Sequence, residues 1–193
     1  DKQKIREFMK NLYYPIYFLD FETMQPAIPE FDNSKPYQQI PFQYSLHYIE
    51  KENGKLFHKE FLAESGTDPR RKLAEQLVKD IPKDVCVTAY NMMFEKGRIK
   101  ELAEIFSDLS EHLMNIHDHI QDLMIPFSER MYYCKDMQGS YSIKYVLPAL
   151  FPNDPELNYH NLPLIHNGGE AMNIFPKIKI CQKKNRKRQD MDC

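Results

Sequence analysis

The five residues Leu19-Asp20-Phe21-Glu22-Thr23 carry the strongest structural signal in this chain. They end an apolar run that includes Ile16 and Phe18, which is typical of a buried central strand. Side chains at positions i and i+2 of a strand point to the same face, so Asp20 and Glu22 lie side by side. Two carboxylates in apolar surroundings repel each other and lose hydration unless a cation lies between them. The segment predicts either a divalent metal site or two solvated acids at a strand end.

The composition is that of one globular domain. The chain has 193 residues, of which 42% are hydrophobic and 12% aromatic. No apolar stretch approaches transmembrane length, so we expect no membrane partner. The four cysteines are scattered without a metal-binding pair, which predicts free thiols in a reducing cytoplasm. The chain has no signal peptide and starts at Asp1, so we expect either part of a longer multidomain chain or a processed product.

The charge is unevenly distributed along the chain. The net charge is −2, yet residues 177–193 carry +5 and the remainder carries −7. We therefore predict one folded domain over residues 1–176 and a basic tail over residues 177–193. The tail is either a disordered basic arm for nucleic acid or the out-of-frame end of a truncated gene.

Periodicity and turn residues predict an alternation of helices and strands. Pro-rich residues 24–42 lack any regular period and predict an ordered loop. Asn53-Gly54 predicts a two-residue hairpin between two strands. The remaining predictions are helices over residues 1–12, 68–81, 94–106, 108–116 and 142–150, and strands over 15–22, 85–90 and a few residues ending near 122. Three antiparallel strands followed by strand–helix–strand units predict an α/β fold, a mixed sheet of about five strands flanked by helices.

A second motif, Tyr90-Asn91-Met92-Met93-Phe94-Glu95, lies where a buried strand gives way to a helix. Glu95 falls in the first helical turn, where the helix dipole favours a negative charge. If this strand is adjacent to the first one, Glu95 faces Asp20 and Glu22, and three carboxylates suffice to hold one or two Mg²⁺ or Mn²⁺ ions. The alternative is helix capping by Asn91 and simple dipole compensation by Glu95.

These motifs resemble those of the DEDD-type 3′–5′ exonucleases of the ribonuclease H-like superfamily. The matching segments are LDFET, then YN-x-x-FE, then the downstream pair Asp122-Leu123. Within that superfamily the chain is most similar to a bacterial family of unknown function, through residues 36–47 (PYQQIPFQYSLH), 90–95 and 139–150 (GSYSIKYVLPAL). The resemblance covers about residues 14–171. It implies a ribonuclease H-like mixed sheet with the first strand central, and two-metal hydrolysis of phosphodiesters from a 3′ end.

The resemblance also assigns roles to individual residues. Asp20 would bridge two Mg²⁺ or Mn²⁺ ions, and Glu22 would bind the ion that activates water. Glu95 stands where most superfamily members have Asp, and it completes the implied metal ligands. Asp122 is the fourth candidate catalytic residue, either as a ligand or as a structural support. The candidate substrate contacts are Thr23, Asn91 and Lys144, the last one to a phosphate.

One expected element is missing from the sequence. Related enzymes carry a fourth carboxylate a few residues after a Tyr or His, and the similar family has a Tyr-Cys-x-x-Asp-Thr pattern that does not occur here. Glu170 is a weak substitute, because Gly168-Gly169 before it disfavour a helix. We expect a metal-dependent 3′–5′ exonuclease acting on single-stranded DNA or RNA, crippled if the C-terminal end is truncated. The alternative is a non-catalytic nucleic-acid-binding or docking domain with the same fold.

Overall fold

A five-stranded mixed sheet forms the centre of the molecule. The computed structural model describes residues 1–154 and Leu157. The predicted end of the domain at residue 176, Glu170 and the basic tail all lie outside the described residues. The strands are β1 (Ile16–Met24), β2 (Ile40–Ile49), β3 (Leu56–Leu62), β4 (Cys86–Ala89) and β5 (Ile120–Asp122). The helices are α1 (Lys2–Met9), α2 (Arg70–Asp80), α3 (Met93–Ile105), α4 (Ser110–Asp118), α5 (Ile125–Ser128) and α6 (Ile143–Leu150), with a 3₁₀ turn at Lys135–Met137.

The strand order β3-β2-β1-β4-β5 places β1 at the centre of the sheet. Strands β1, β2 and β3 pair antiparallel, whereas β4 pairs parallel to both β1 and β5. The parallel strands are joined through helices, as parallel pairing requires. The predicted fold class, a mixed α/β sheet of five strands with the first three antiparallel, is confirmed.

One face of the sheet is covered by helices α2, α3 and α4. Along β1 the alternate residues Tyr17, Leu19 and Phe21 belong to a single buried cluster. Helix α2 contributes Leu73 and Leu77 to that cluster, and the other two helices contribute further apolar side chains, namely Ile99, Leu102, Leu113 and Ile116. The spacing of these positions, three or four residues apart, puts them on one face of each helix.

The opposite face of the sheet carries polar side chains in the antiparallel strands. Asp20 alternates with the buried residues of β1, and Ser45 lies directly across from it on β2. Glu60 on β3 continues the same row, because it pairs with Ser45. The neighbouring row contains His47 and His58, whose rings stack with centroids 4.3 Å apart. We call these two surfaces the covered face and the polar face.

The hairpin between β2 and β3 differs from its prediction. Asn53-Gly54 was expected to form a two-residue turn, but the connection spans residues 50–55. Gly54 N–H donates to Lys51 O at 2.8 Å, which closes a tight turn inside the wider loop. A Cβ atom at Gly54 would lie 2.7 Å from that same oxygen, so the position requires glycine. The Asn-Gly pair therefore predicts the position of the turn correctly, but it does not predict the length of the loop.

Candidate functional site

The acidic residues lie where the parallel strands end. Strand β4 pairs with β1 only as far as Phe18, which is opposite Thr88, and β4 ends at the next residue. Strand β1 continues beyond that point, so Asp20 and Glu22 extend past the end of their parallel neighbour. Asp122 is the last residue of β5 and is level with the end of β4. The topology therefore brings acids from two strands, β1 and β5, to one edge of the sheet.

Asp20 and Glu22 point away from the covered face, as predicted. Asp20 is exposed and Glu22 is half-buried. Even so, the surrounding protein removes enough hydration to raise the pKa of Asp20, and loss of hydration together with the charge of Asp20 raises the pKa of Glu22. A register shift in the β1–β2 pairing falls directly after Glu22. Such bulges re-aim side chains and are frequent beside active sites.

Glu95 is the most perturbed of the four acids. It lies in the first turn of α3, and only 3% of its surface is exposed. Its Oε2 atom is buried without a hydrogen-bond partner in the part of the chain that the structure describes. Burial is the main cause that raises its pKa to about 8, and the charges of Asp20 and Asp122 act in the same direction. In the absence of a cation, Glu95 therefore holds a proton at neutral pH.

Arg98, a cationic neighbour among the described residues, does not neutralise Glu95. Arg98 lies one helical turn later on α3, and its charge lowers the pKa of Glu95 only in part. Its guanidinium donates instead to Gln39 Oε1 and, at 2.5 Å, to Glu101 Oε1. These bonds hold Arg98 between α3 and the loop before β2. None of the ion pairs within the described residues involves Asp20, Glu22 or Glu95.

Asp122 supports the loops around the site. Its Oδ1 atom accepts hydrogen bonds from the backbone N–H groups of Asn91 and Met124, both at 2.9 Å. It is buried, with 6% of its surface exposed. Of the two roles left open for Asp122, this geometry describes the structural one, because a single oxygen fixes the turn after β4 and the turn after β5.

Asn91 does not cap helix α3, so the capping interpretation is wrong. The residue before the helix is Met92, and no side chain makes a capping hydrogen bond there. Asn91 has φ of 70°, the left-handed conformation that Asn tolerates better than most residues. Its role is to turn the chain between β4 and α3, and its side chain is exposed at the acidic edge.

The other two predicted substrate contacts occupy different environments. Thr23 is 5% exposed and belongs to β1 just after the register shift. Lys144 is exposed in the first turn of α6. Its neighbour Ile143 lines the same pocket as Asp20, so Lys144 stands at the margin of the acidic site. Contact of these residues with a substrate stays a prediction.

A pocket of about 400 Å³ opens beside Asp20 on the polar face. Strand β2 contributes Ser45 and His47 to its wall, and Tyr90 closes it at the end of β4. The histidine was not among the predicted site residues. The alternation of β2, in which Gln43, Ser45 and His47 fall between buried apolar residues, is the signal that identifies this row.

The acidic side chains do not converge on one point. Among residues 1–154 and Leu157, no three His, Cys, Asp or Glu side chains are grouped closely enough to hold a metal ion in the described conformation. The unpartnered oxygen of Glu95 and the raised pKa values of its neighbours nevertheless fit a cation, since each feature reports carboxylates without a compensating positive charge. Asp20, Glu22 and Glu95 are therefore the residues that could ligate one.

Comparison with known proteins assigns the chain to a family. Residues 17–142 match the model of a family described as "Domain of unknown function (DUF2779)". This chain belongs to that family. The matched region runs from β1 through the segment that precedes α6, and so contains all four candidate acids. No solved structure matches the chain.

Curated relatives of this family member occur in mycoplasmas and ureaplasmas. The chain is 28% identical to "Uncharacterized protein UU173" of Ureaplasma parvum over 94% of its own length and 27% of the relative's. It is 27% identical to "Uncharacterized protein MG366" of Mycoplasma genitalium over 88% of its own length and 27% of the relative's. The chain thus spans about a quarter of the length of the curated relatives it matches. Within the described residues, no helix is both long and apolar enough to cross a membrane.

Proposed function

We propose that this domain is a metal-dependent nuclease, a 3′–5′ exonuclease that hydrolyses phosphodiester bonds of single-stranded DNA or RNA. The observation that carries the proposal is the buried Oε2 of Glu95, which has no hydrogen-bond partner among the described residues. The charges of Asp20 and Asp122 also raise the pKa of this carboxyl group. A buried carboxylate oxygen without a donor is costly unless a cation or a proton satisfies it. The order of the motifs along the chain, with Asp20 on a central strand, supports the assignment to the DEDD-type superfamily.

Mg²⁺ or Mn²⁺ bound at this edge would supply an activated water and charge stabilisation at the leaving 3′ oxygen. The chain's own part is to hold Asp20, Glu22 and Glu95 around that position. Glu95 would hold the cation in its ionised form, because metal ligation requires the carboxylate rather than the carboxylic acid. Asp122 keeps the two flanking turns in place through its backbone hydrogen bonds. Lys144 provides a positive charge beside the pocket for a substrate phosphate.

A non-catalytic nucleic-acid-binding domain is the second candidate function. The observation that favours it is the lack of a converged group of three ligands in the described residues. In this alternative the acidic edge would be a remnant, and the domain would bind a strand without cleaving it. The two candidates differ in one measurable property, which is turnover in the presence of a divalent metal.

We place the domain in a longer multidomain protein that works in the cytoplasm. The relatives are about four times as long as the matched region, which supports the first part. Cys86 and Cys134 are both free thiols, which is consistent with a reducing compartment. The activity of the whole protein and its choice between DNA and RNA belong to the same proposal.

The decisive experiment is a hydrolysis assay with the 193-residue chain. Single-stranded DNA and RNA oligonucleotides labelled at the 5′ end are incubated with Mg²⁺, Mn²⁺ or EDTA, and products are resolved by length. We expect a ladder shortened from the 3′ end that requires metal and is abolished by Asp20→Asn. Glu60→Gln is the matched control, because Glu60 is an exposed acid on the same face and lies two strands away from β1.

The outcomes separate the two functions. A metal-dependent ladder lost only in Asp20→Asn supports the exonuclease. Binding of the oligonucleotides without any shortening, at equal strength in both variants, supports the non-catalytic domain. Cleavage that survives Asp20→Asn would contradict the proposed site.

A further inference from the structure

A second pocket lies next to the acidic site, between helices α5 and α6. Its volume is about 400 Å³, which is within the range of small-molecule sites. The residues that line it include an arginine, two tyrosines and a phenylalanine, together with small residues that leave it open: Phe127, Arg130, Tyr133, Gly139, Ser140 and Tyr141. The sequence between α5 and α6 thus builds a concave site from aromatic rings and one positive charge.

The two tyrosines of this pocket are exposed. Tyr133 has 55% of its surface accessible and Tyr141 has 51%. By contrast, the tyrosines of the covered face, such as Tyr44 on β2, are buried in the core and stack on neighbouring rings. Exposed rings that line a pocket leave flat apolar surface available to a ligand. A planar aromatic group is the ligand that fits such surfaces best.

Tyr90 connects this second pocket, which we call the aromatic pocket, to the pocket of Asp20. Tyr90 lines the pocket that contains Asp20. Its hydroxyl donates to the backbone oxygen of Tyr141 at 2.5 Å, and its ring is 6.5 Å from that of Phe127. A ligand that occupies the aromatic pocket therefore lies one side chain away from the pocket of Asp20.

The charges around the aromatic pocket suit a phosphate backbone. Arg130 lines the pocket and is exposed, and Lys144 is exposed in the first turn of α6. None of the ion pairs within the described residues involves either side chain. With respect to the described residues, both cations are available for a ligand, whereas the acidic edge beside them requires metal before it tolerates a phosphate.

We infer that the aromatic pocket binds a nucleobase of a single nucleic-acid strand whose end lies in the acidic site. The inference rests on the proposed function and specifies how that function holds its substrate. Tyr133 and Tyr141 stack on the base, and Arg130 faces the adjoining phosphate. Because every base has a flat π-face, such a site binds single strands with little sequence preference.

The test measures binding, so that it does not depend on hydrolysis. The full chain is titrated, with Ca²⁺ in place of Mg²⁺, into fluorescein-labelled single strands, and Kd is obtained from anisotropy. We expect Tyr133→Leu and Tyr141→Leu each to weaken binding by about tenfold or more. Tyr133→Phe keeps the ring and should retain the wild-type Kd. Tyr13→Leu is the matched control, since Tyr13 is similarly exposed but precedes β1 at the opposite end of that strand.

A strand with one abasic nucleotide, moved stepwise from the 3′ end, identifies the base. At one position, the abasic nucleotide should weaken binding to the wild-type chain by the same factor as Tyr133→Leu weakens binding to the intact strand. Combining that abasic strand with Tyr133→Leu should weaken binding no further, because both changes remove the same contact. Unchanged Kd values in both leucine variants would overturn the inference and leave an apolar protein segment as the occupant. The inference would also be overturned if the effects of the abasic nucleotide and of Tyr133→Leu on affinity were additive at every position. An equal loss of affinity in the control variant Tyr13→Leu would overturn it as well.

The inference and the proposed function fail in different ways. Metal-dependent hydrolysis that ignores both tyrosine variants overturns the pocket inference alone. Binding that depends on the pocket, without hydrolysis in Mn²⁺, overturns the exonuclease alone. If the wild-type chain binds no single strand, both are wrong.

Discussion

The covered and polar faces of the sheet use the same strands for different purposes. On the covered face, side chains of β1 and β2 such as Leu19 and Leu46 are packed with almost no exposed surface. On the polar face, Asp20 and its neighbours lie at intermediate or full exposure and carry raised carboxyl pKa values. The first arrangement stabilises the fold through apolar burial, whereas the second gathers charges that destabilise it.

This difference separates the residues that stabilise the fold from the residues that the proposed function requires. Successive residues of the central strand β1 point to opposite faces, so that Leu19 packs in the core whereas Asp20 lies on the polar face. The polar network of Asp80 on α2 shows how a structural acid is treated: it accepts hydrogen bonds from Tyr44 and Gln76 and pairs with Lys59. Glu95 is also buried, but its Oε2 has no such partner among the residues that the structure describes. The predictions below test that contrast.

The largest expected effect is on activity, at Asp20. Asp20→Asn should lower metal-dependent hydrolysis by at least about a hundredfold, because charge stabilisation by a bound metal contributes several kcal/mol. The melting temperature should stay unchanged or rise, since the substitution removes a poorly hydrated charge. Activity is measured with a labelled single strand and stability by circular dichroism. A fall in melting temperature with activity retained would show that Asp20 stabilises the fold, as Asp80 does, and has no part in hydrolysis.

On the covered face the largest effect is on stability. Leu77→Ala should lower the free energy of unfolding by about 2–5 kcal/mol, because Leu77 is fully buried between α2 and the sheet. Hydrolysis per folded molecule should change little. Urea unfolding followed by circular dichroism gives the first quantity. A loss below about 1 kcal/mol would mean that the helices pack loosely on this face.

Glu95 should make the metal-free chain less stable as pH rises. Its pKa is about 8 in the fold and 4.5 for a free side chain, so between these values the folded state binds the extra proton. The free energy of unfolding then falls with increasing pH over this window, by on the order of 2–4 kcal/mol. Glu95→Gln should remove the slope. Melting temperatures in EDTA at about pH 5, 7 and 9 measure this pH dependence for the wild-type and Glu95→Gln proteins. Equal slopes in the two proteins would show that Glu95 is not its source.

Asp80 should show the opposite pH dependence. Burial alone raises its pKa, but hydrogen bonds from Tyr44, Gln76 and Lys59 outweigh that effect and lower it. Its contribution is therefore complete above the ordinary Asp pKa and is lost as pH falls through the lowered value. Asp80→Asn should cost about 1–3 kcal/mol at neutral pH and flatten the acid side of the stability curve. A variant as stable as wild type at pH 7 would contradict the structural role.

The smallest effect is expected at Gly97, in the interior of α3. A Cβ atom there would meet nothing within 4 Å, and glycine disfavours a helix relative to alanine. Gly97→Ala should raise the free energy of unfolding by about 0.5–1 kcal/mol. Chemical denaturation measures the gain. Destabilisation would contradict the open surroundings of Gly97.

Much of the fold was predictable because its signals are local. The spacing of Leu73 and Leu77, and of Ile99 and Leu102, predicted helices α2 and α3 to within about two residues at each end. The alternation in β1 predicted which residues face the core and placed Asp20 and Glu22 together. The length of the loop around Asn53-Gly54 was not predictable, because the pair specifies a turn rather than the separation of the strands that it joins.

The sequence identified which residues form the candidate site, but it did not predict how they are arranged in space. The positions of Asp20, Glu22 and Glu95 followed from short motifs, but their mutual approach depends on how far β4 extends along β1. Arg98 donates a hydrogen bond to Gln39, and the backbone N–H of Asn91 donates one to Asp122, although the two residues of each pair are distant in sequence. The aromatic pocket likewise forms from the irregular segment between α5 and α6, where no period indicates which rings are exposed.

The most direct test of the account is to locate Mn²⁺ in crystals of this chain by anomalous scattering. We predict a peak at the acidic edge within bonding distance of Asp20 and Glu95, with Glu95 Oε2 as a ligand, and its loss in crystals of Asp20→Ala. The absence of a peak at millimolar Mn²⁺, with Glu95 still unpartnered, would contradict the proposed metal site. A peak that persists unchanged in Asp20→Ala would contradict it as well.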